Sequence, residues 1–231
     1  MDTCGPRGRL ARFAGFPDAR KRPQCARVRH NRPVARQISA PLGQLSLGLA
    51  DDPVAIVDML SSALLLESPG QLLVREMCTR RGGSRIDLAA IGSALRGFEI
   101  KSSRDDLRRL PAQVEAYGAV FDELTLVAPP RHVDEAASWL PAWWGLMIVR
   151  AEGDATEWRR PMRNPEQDPA ALARLLWHDE LSRALGAHAA TPRRAARLDL
   201  ARELVGALGS DDVRRVVVAA LSARGAWRAA A

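Results

Sequence analysis

A chain of 231 residues, 47% of them hydrophobic, is long enough for one large domain or for a core of about 100 to 150 residues with appendages. The formal charge of +7 points toward a polyanionic partner, but residues 1–40 carry ten Lys/Arg against Asp2 and Asp18, and the remaining 24 Lys/Arg are balanced by 25 Asp/Glu. Three cysteines without a CxxC pair exclude a disulfide framework or zinc cluster. No apolar run is long enough to span a bilayer, so the expectation is a soluble, cytoplasmic protein.

Taken in order, residues 1–48 form an Arg/Pro-rich leader without periodicity, expected to be disordered. Asp52-Pro53 is a helix start, N-cap then N1, and Val54, Val57, Leu60 and Leu64 continue one amphipathic helix to Glu67. Three strands follow, "QLLVREMC", "RIDLAAI" and "ALRGFEI", with Gly-containing turns "RRGG" and "GS" between them. A helical region from about Asp105 to Phe121, the strand "LTLVA", a helix "VDEAASWL" and the strand "GLMIV" give the order α-β-β-β-α-β-α-β. Hairpin strands followed by helix-separated strands imply an α/β fold, a mixed central sheet flanked by helices, over residues 49–150. After Arg150 a polar, proline-bearing connector leads into three helical patterns, read as a helical C-terminal extension over 151–231 and as a surface for a homodimer or protein partner.

The chain has only two lysines, Lys21 in the leader and Lys101. In "GFEIKSS" alternation puts Glu99 and Lys101 on one strand face and Phe98 and Ile100 on the other. Asp87 lies in the preceding strand, and the hairpin register decides whether it meets Glu99. A two-residue Gly92-Ser93 turn opposes Asp87 to Phe98, on the wrong face. A three-residue turn, or a bulge at Gly97, opposes it to Glu99. Under that register Asp87, Glu99 and the Ile100 carbonyl supply hard oxygen ligands for Mg²⁺ or Mn²⁺. A lysine beside them can orient or deprotonate a water, because desolvation lowers an ammonium's pKa; arginine stays protonated.

Asp87, eleven residues, then Glu99-Ile100-Lys101, followed by a helix bearing Gln113, resembles the PD-(D/E)XK nuclease superfamily. The stretch "SRIDLAAI…GFEIKSSRDDLRRLPAQVEAYGAVFDELTLVAP", with "PAWWGL" and "LWHDEL", is similar to a bacterial family of uncharacterised proteins assigned to that superfamily, over about residues 50–185. The resemblance implies a restriction-endonuclease-like core, Mg²⁺-dependent phosphodiester hydrolysis in DNA, metal ligation by Asp87 and Glu99, and a catalytic Lys101. It adds Gln113 near the metal water or phosphate and an earlier acid, for which Glu76 is preferred over Glu67. Ile86 stands where the superfamily's motif has Pro.

Blander readings stand beside these. Glu99 and Lys101 can be a solvated strand pair, and the fold can be a binding module without turnover. Tyr117 shares helical spacing with Val114 and Phe121 and suits the core. Trp139, Trp143 and Trp144 can stack bases or pack the sheet. Arg104, Arg108 and Arg109 can meet phosphate or pair with Asp105, Asp106 and Glu115. His178 lacks a second ligand at i+4 and suits a solvated helix face.

Overall fold

A computed structural model describes residues 36–37, 51–79, 84–151, 154–186 and 195–224. Most of the leader and the "RRGG" turn lie outside the described residues, so the expectations made for them do too. Helix α1 (Pro53–Glu67) starts as the Asp52-Pro53 pair requires: the Asp52 carboxylate accepts from the Val54 N–H, 2.9 Å, and from Ala55. Strands β2 (Leu72–Cys78), β3 (Arg85–Ile91) and β4 (Leu95–Ile100) form an antiparallel meander. Helix α2 (Leu110–Gly118) leads to β5 (Glu123–Ala128), and α3 (Val133–Trp139) to β6 (Gly145–Val149), each strand parallel to the one before it.

These strands belong to one mixed sheet ordered β1-β7-β6-β5-β4-β3-β2, in which β1 is the two-residue strand Arg36–Gln37 and β7 is Ala155–Arg159. Alternation assigns each strand residue to one of two cores. Leu124, Leu126, Leu146 and Ile148 face α2 and α3, while Val127, Met147 and Val149 face the side covered by α1.

Two readings of the C-terminal third need correction. The segment after Arg150 read as connector contains β7, which pairs antiparallel with β6 across a register irregularity at Leu146/Met147. Its Glu157, Arg159 and short length obscured it, as the polar residues of a strand near the sheet edge do. The helices α4 (Pro169–Ala173), α5 (His178–Leu185), α6 (Arg197–Leu208) and α7 (Ser210–Ala223) are also not an appendage. Leu172, Leu181, Leu200, Leu204, Val213 and Val217 are buried in the same core as α2 and α3. These buried residues tie the helices to the sheet within the chain. The single helix expected across "AALARLLWHDELSRALG" is interrupted between Ala173 and His178, and α5 begins with the Trp177 N–H donating to Glu180 Oε2, 2.7 Å. No helix among the described residues is long and apolar enough to cross a membrane.

Candidate active site

The β3–β4 connection holds three residues: Ile91 opposes Leu95 and Leu88 opposes Phe98. That is the register the three-residue turn calls for, and the paired residues end at Leu88 and Phe98, one short of Asp87 and Glu99. Gly97 pairs with Ala89 without a bulge, and its lack of a side chain has another cause. A Cβ there would come within 2.5 Å of Ile86 Cδ1 and 2.7 Å of Leu124 Cδ2, so the glycine admits the core that backs the site.

The strands are irregular where the acids lie. Val74 and Met77, three apart in β2, both enter the α2-side core, which regular alternation forbids. The reversal occurs at Glu76, a non-glycine residue with φ of 54°. Across from it, Ile86 and Ala89 share the α2-side core while Leu88 faces the α1 side, so β3 reverses around Asp87. The β3–β4 ladder ends there, and Asp87 Oδ2 accepts from the Ile100 N–H at 2.7 Å. A carboxylate thus takes the place of a ladder carbonyl.

Four of the expected residues meet. The Lys101 ammonium, 3% exposed, donates to Glu99 Oε1 at 2.7 Å and to Gln113 Oε1 at 3.0 Å. Gln113 Nε2 donates to the same Glu99 oxygen at 2.5 Å, closing a three-membered network between β4 and α2. Glu99 Oε2 is buried without a hydrogen-bond partner among the described residues. Burial, then the Glu99 charge, push the Asp87 carboxyl up to about 7, against the opposing pull of the Ile100 N–H and Lys101. Two carboxylates raising each other's energy, one with an unpartnered buried oxygen, make a site short of positive charge.

Glu76 contributes differently. It forms an ion pair with Arg85, and its charge is felt at Asp87, yet no group of three or more His, Cys, Asp or Glu among the described residues is arranged to hold a metal ion. Glu67 pairs with Arg96, 3.1 Å. The Ile100 N–H is turned to Asp87, and its carbonyl faces the same neighbouring strand by the geometry of the ladder.

Tyr117 is fully buried and serves both core and site. Its ring meets Phe121 edge-on, and its hydroxyl donates to the Arg85 carbonyl, 2.7 Å, while receiving a long contact from Gln113 Nε2, 3.4 Å. Burial, then Glu99, push its pKa upward, so it stays a neutral donor. Sequence reasoning had assigned no role to Ser102 and His132, which fix the chain after Lys101. Asp105 accepts from the Ser102 N–H, 2.7 Å, and hydroxyl, 2.8 Å, and buried His132 contacts the Ser102 carbonyl at 3.2 Å. The motif S-x-x-D was the available signal. Trp143 and Trp144 are core residues, whereas Trp139 is 52% exposed. Arg108 pairs with Asp106, 2.9 Å.

Residues 53–228 match the family described as Bacteriophage P4 protein cII. The chain belongs to this family. Among curated relatives, protein cII of Enterobacteria phage P4 is 26% identical over 87 residues, covering 38% of this chain and 33% of that protein. The matched part is thus about a third of the phage protein's length. No solved structure matches. The cII-family region takes in the whole β2–β7 sheet, the α2 network and all four C-terminal helices.

Proposed function

We propose that this cII-family chain is a Mg²⁺- or Mn²⁺-dependent nuclease hydrolysing phosphodiester bonds in DNA, on a restriction-endonuclease-like core. The observation carrying this reading is the meeting of Asp87, Glu99, Lys101 and Gln113 with one Glu99 oxygen buried and unpartnered. The order α1, β2, β3, β4, α2, β5 supports it, being the α-β-β-β-α-β order expected of that core.

Asp87 and Glu99 are the residues that would hold the ion, with the Ile100 carbonyl as a neutral ligand; an all-oxygen set suits a hard divalent cation. Such an ion, when bound, lowers the pKa of a water and stabilises charge developing on the phosphate. Glu99 Oε1 is fixed by Lys101 and Gln113, so Oε2 is the oxygen that would be offered to an ion. Lys101 donates to Glu99, and its charge is felt at Asp87. A desolvated lysine of this kind can accept or steer the proton of an attacking water, which arginine cannot. Gln113 orients both partners through its amide. Glu76, on β2, adds negative charge near Asp87.

The test is Mg²⁺- and Mn²⁺-dependent cleavage of single- and double-stranded DNA, with RNA alongside. Asp87→Ala, Glu99→Ala and Lys101→Met should each reduce cleavage at least 100-fold, measured at a temperature where circular dichroism shows each variant folded, since Lys101→Met leaves the buried Glu99 without its cation. Cleavage unchanged by Asp87→Ala would sink the assignment. A second reading, a binding module without turnover, is favoured by the Lys101–Glu99 ion pair, which occupies the lysine. Binding of DNA with no cleavage in either metal would select it.

A further inference from the structure

Beyond Lys101, the loop 102–109 and the turn after β5 follow the carboxyl ends of the parallel strands β4 and β5, the end at which open α/β sheets take their ligands. There the loop, the start of α2 and α3 enclose a hollow of about 420 Å³, with Leu107, Pro111, Arg131, Glu135 and Trp139 among its lining residues. The backbone joins it to the candidate active site. His132 and Asp105 also line the hollow; the first contacts the Ser102 carbonyl at 3.2 Å and the second accepts from the Ser102 N–H. The wall is thus bonded to the residue that follows Lys101.

The charged groups of the wall divide into spent and open ones. Ser102 takes up the Asp105 carboxylate, and Arg108 pairs with Asp106. Arg131 is anchored through Nη2 to the Asp105 carbonyl, 3.1 Å, and through Nε to His132, 3.3 Å, which leaves Nη1 without a partner among the described residues. Glu135 forms no ion pair among the described residues. Trp139, one turn further along the same face of α3, is half exposed and makes no hydrogen bond, ring stacking or cation contact among them. Buried Leu107 and Pro111 give the hollow apolar walls beside the indole. These groups fit a nucleobase. Its ring stacks on an indole, a carboxylate accepts from its exocyclic amino group, and a guanidinium holds its phosphate oxygen. An acidic peptide or a free phosphate fits less well, because Asp105, Asp106 and Glu135 share the wall.

We propose that this hollow takes one nucleobase of the DNA strand cut at Asp87 and Glu99, stacked on Trp139, with its amino group donating to Glu135 and its phosphate on Arg131. The identity of the strand rests on the nuclease reading. The hollow is then a specificity device that favours cytosine over uracil or thymine, since those two present a carbonyl where cytosine presents an amino group.

The test reads binding by the full chain in chelator, so a chain that never cuts DNA still answers it. Irradiation with a single-stranded 20-mer containing 5-iododeoxycytidine should place a crosslink on Trp139, located by peptide mapping. The Arg-rich leader can retain a strand by itself, so the crosslink and the variant effects are read instead of retention alone. Trp139→Ala should weaken anisotropy-measured binding at least five-fold, and Trp139→Phe should restore most of it. At pH 8 a deoxycytidine 10-mer should bind at least three-fold more tightly than a deoxyuridine 10-mer. Glu135→Gln should erase that difference, since an amide donates as well as accepts. Arg131→Ala should weaken both 10-mers alike. All of these side chains are exposed, so circular dichroism should stay that of the wild type. No crosslink at Trp139, or equal binding by Trp139→Ala, would overturn the proposal, as would a Trp139→Ala variant that loses only self-association in a sizing experiment. Absence of cleavage by the wild type in Mg²⁺ and Mn²⁺ would overturn the nuclease reading instead, and the crosslink and the 10-mer preference would still decide the hollow.

Discussion

Asp87 shows what the residue-level geometry costs. Its carboxyl titrates at about 7 in the folded chain against 3.8 ordinarily, because burial and Glu99 disfavour the charge. Between about pH 4 and pH 7 the folded state therefore binds more protons than the unfolded state, and stability falls as pH rises through that window. In chelator, urea denaturation should follow this slope, bounded by about 4 kcal/mol at roughly 1.4 kcal/mol per pKa unit. Asp87→Asn should flatten the slope and raise the metal-free stability at pH 8, while losing any stabilisation by Mg²⁺. A slope that persists in Asp87→Asn would assign it to another group. Glu76 stores a different cost, since a left-handed backbone at a residue with a Cβ is unfavourable by about 1–2 kcal/mol. Glycine removes that cost but adds about 0.5–1 kcal/mol of unfolded-state entropy. Glu76→Gly should thus be neutral to slightly stabilising despite losing the exposed Arg85 ion pair, whereas Glu76→Val should destabilise by more than 1 kcal/mol; a large loss in the glycine variant would mean the side chain holds the strand reversal.

At the scale of elements, the β3–β4 hairpin decides the site. A three-residue loop brings Asp87 to Glu99, and the smoothness of Gly97 lets Ile86 and Leu124 pack behind them. Gly97→Ala should cost about 1–3 kcal/mol by overpacking, seen as a lowered denaturation midpoint, because two side chains and Phe121 must shift together. A midpoint within experimental error of wild type would show that β4 can move away from α2. Most elements were legible beforehand. The Asp52-Pro53 start, the apolar strands and the alternation of Glu99 and Lys101 are local signals, and α1, β2 to β6, α3, α6 and α7 appear where they indicate. Strand β7 was not, since it is short, carries charges and is defined by its partner β6. Nor was the reversal at Glu76, because a glutamate carries no local signature of a positive φ.

At the scale of the whole molecule, the C-terminal helices are held to the sheet by a largely buried ion pair as well as by the shared core. Asp122, 7% exposed at its side chain, accepts from Arg214 Nε and Nη2, both 2.7 Å, and from the Leu95 N–H, 2.7 Å. Arg214 also donates to the Ser93 carbonyl, in the loop that sets the hairpin register. Replacing it leaves a buried carboxylate without its cation, so Arg214→Met should destabilise by about 3 kcal/mol, while Arg215→Met, on the exposed side of α7, should leave the denaturation midpoint where it is. Equal effects in thermal denaturation would mean that α7 is held by its apolar face alone. A cut at Arg150 would remove β7 and uncover the core that α4 to α7 close, so that position is not a domain boundary.

The sequence by itself determined the helices and strands with strong periodicity, the pairing of Glu99 with Lys101 on one strand face, and the candidacy of Asp87, because each depends on spacing along the chain; Gln113 became a candidate only through the family resemblance. Tertiary structure alone decided the three-residue loop, the reversal at Glu76 and Asp87, the buried Glu99 oxygen, and the use of the C-terminal helices as core. Those features depend on which strands and helices lie against one another, and contacts between residues up to 121 positions apart, such as Arg214 with Ser93, leave no periodic trace in the chain.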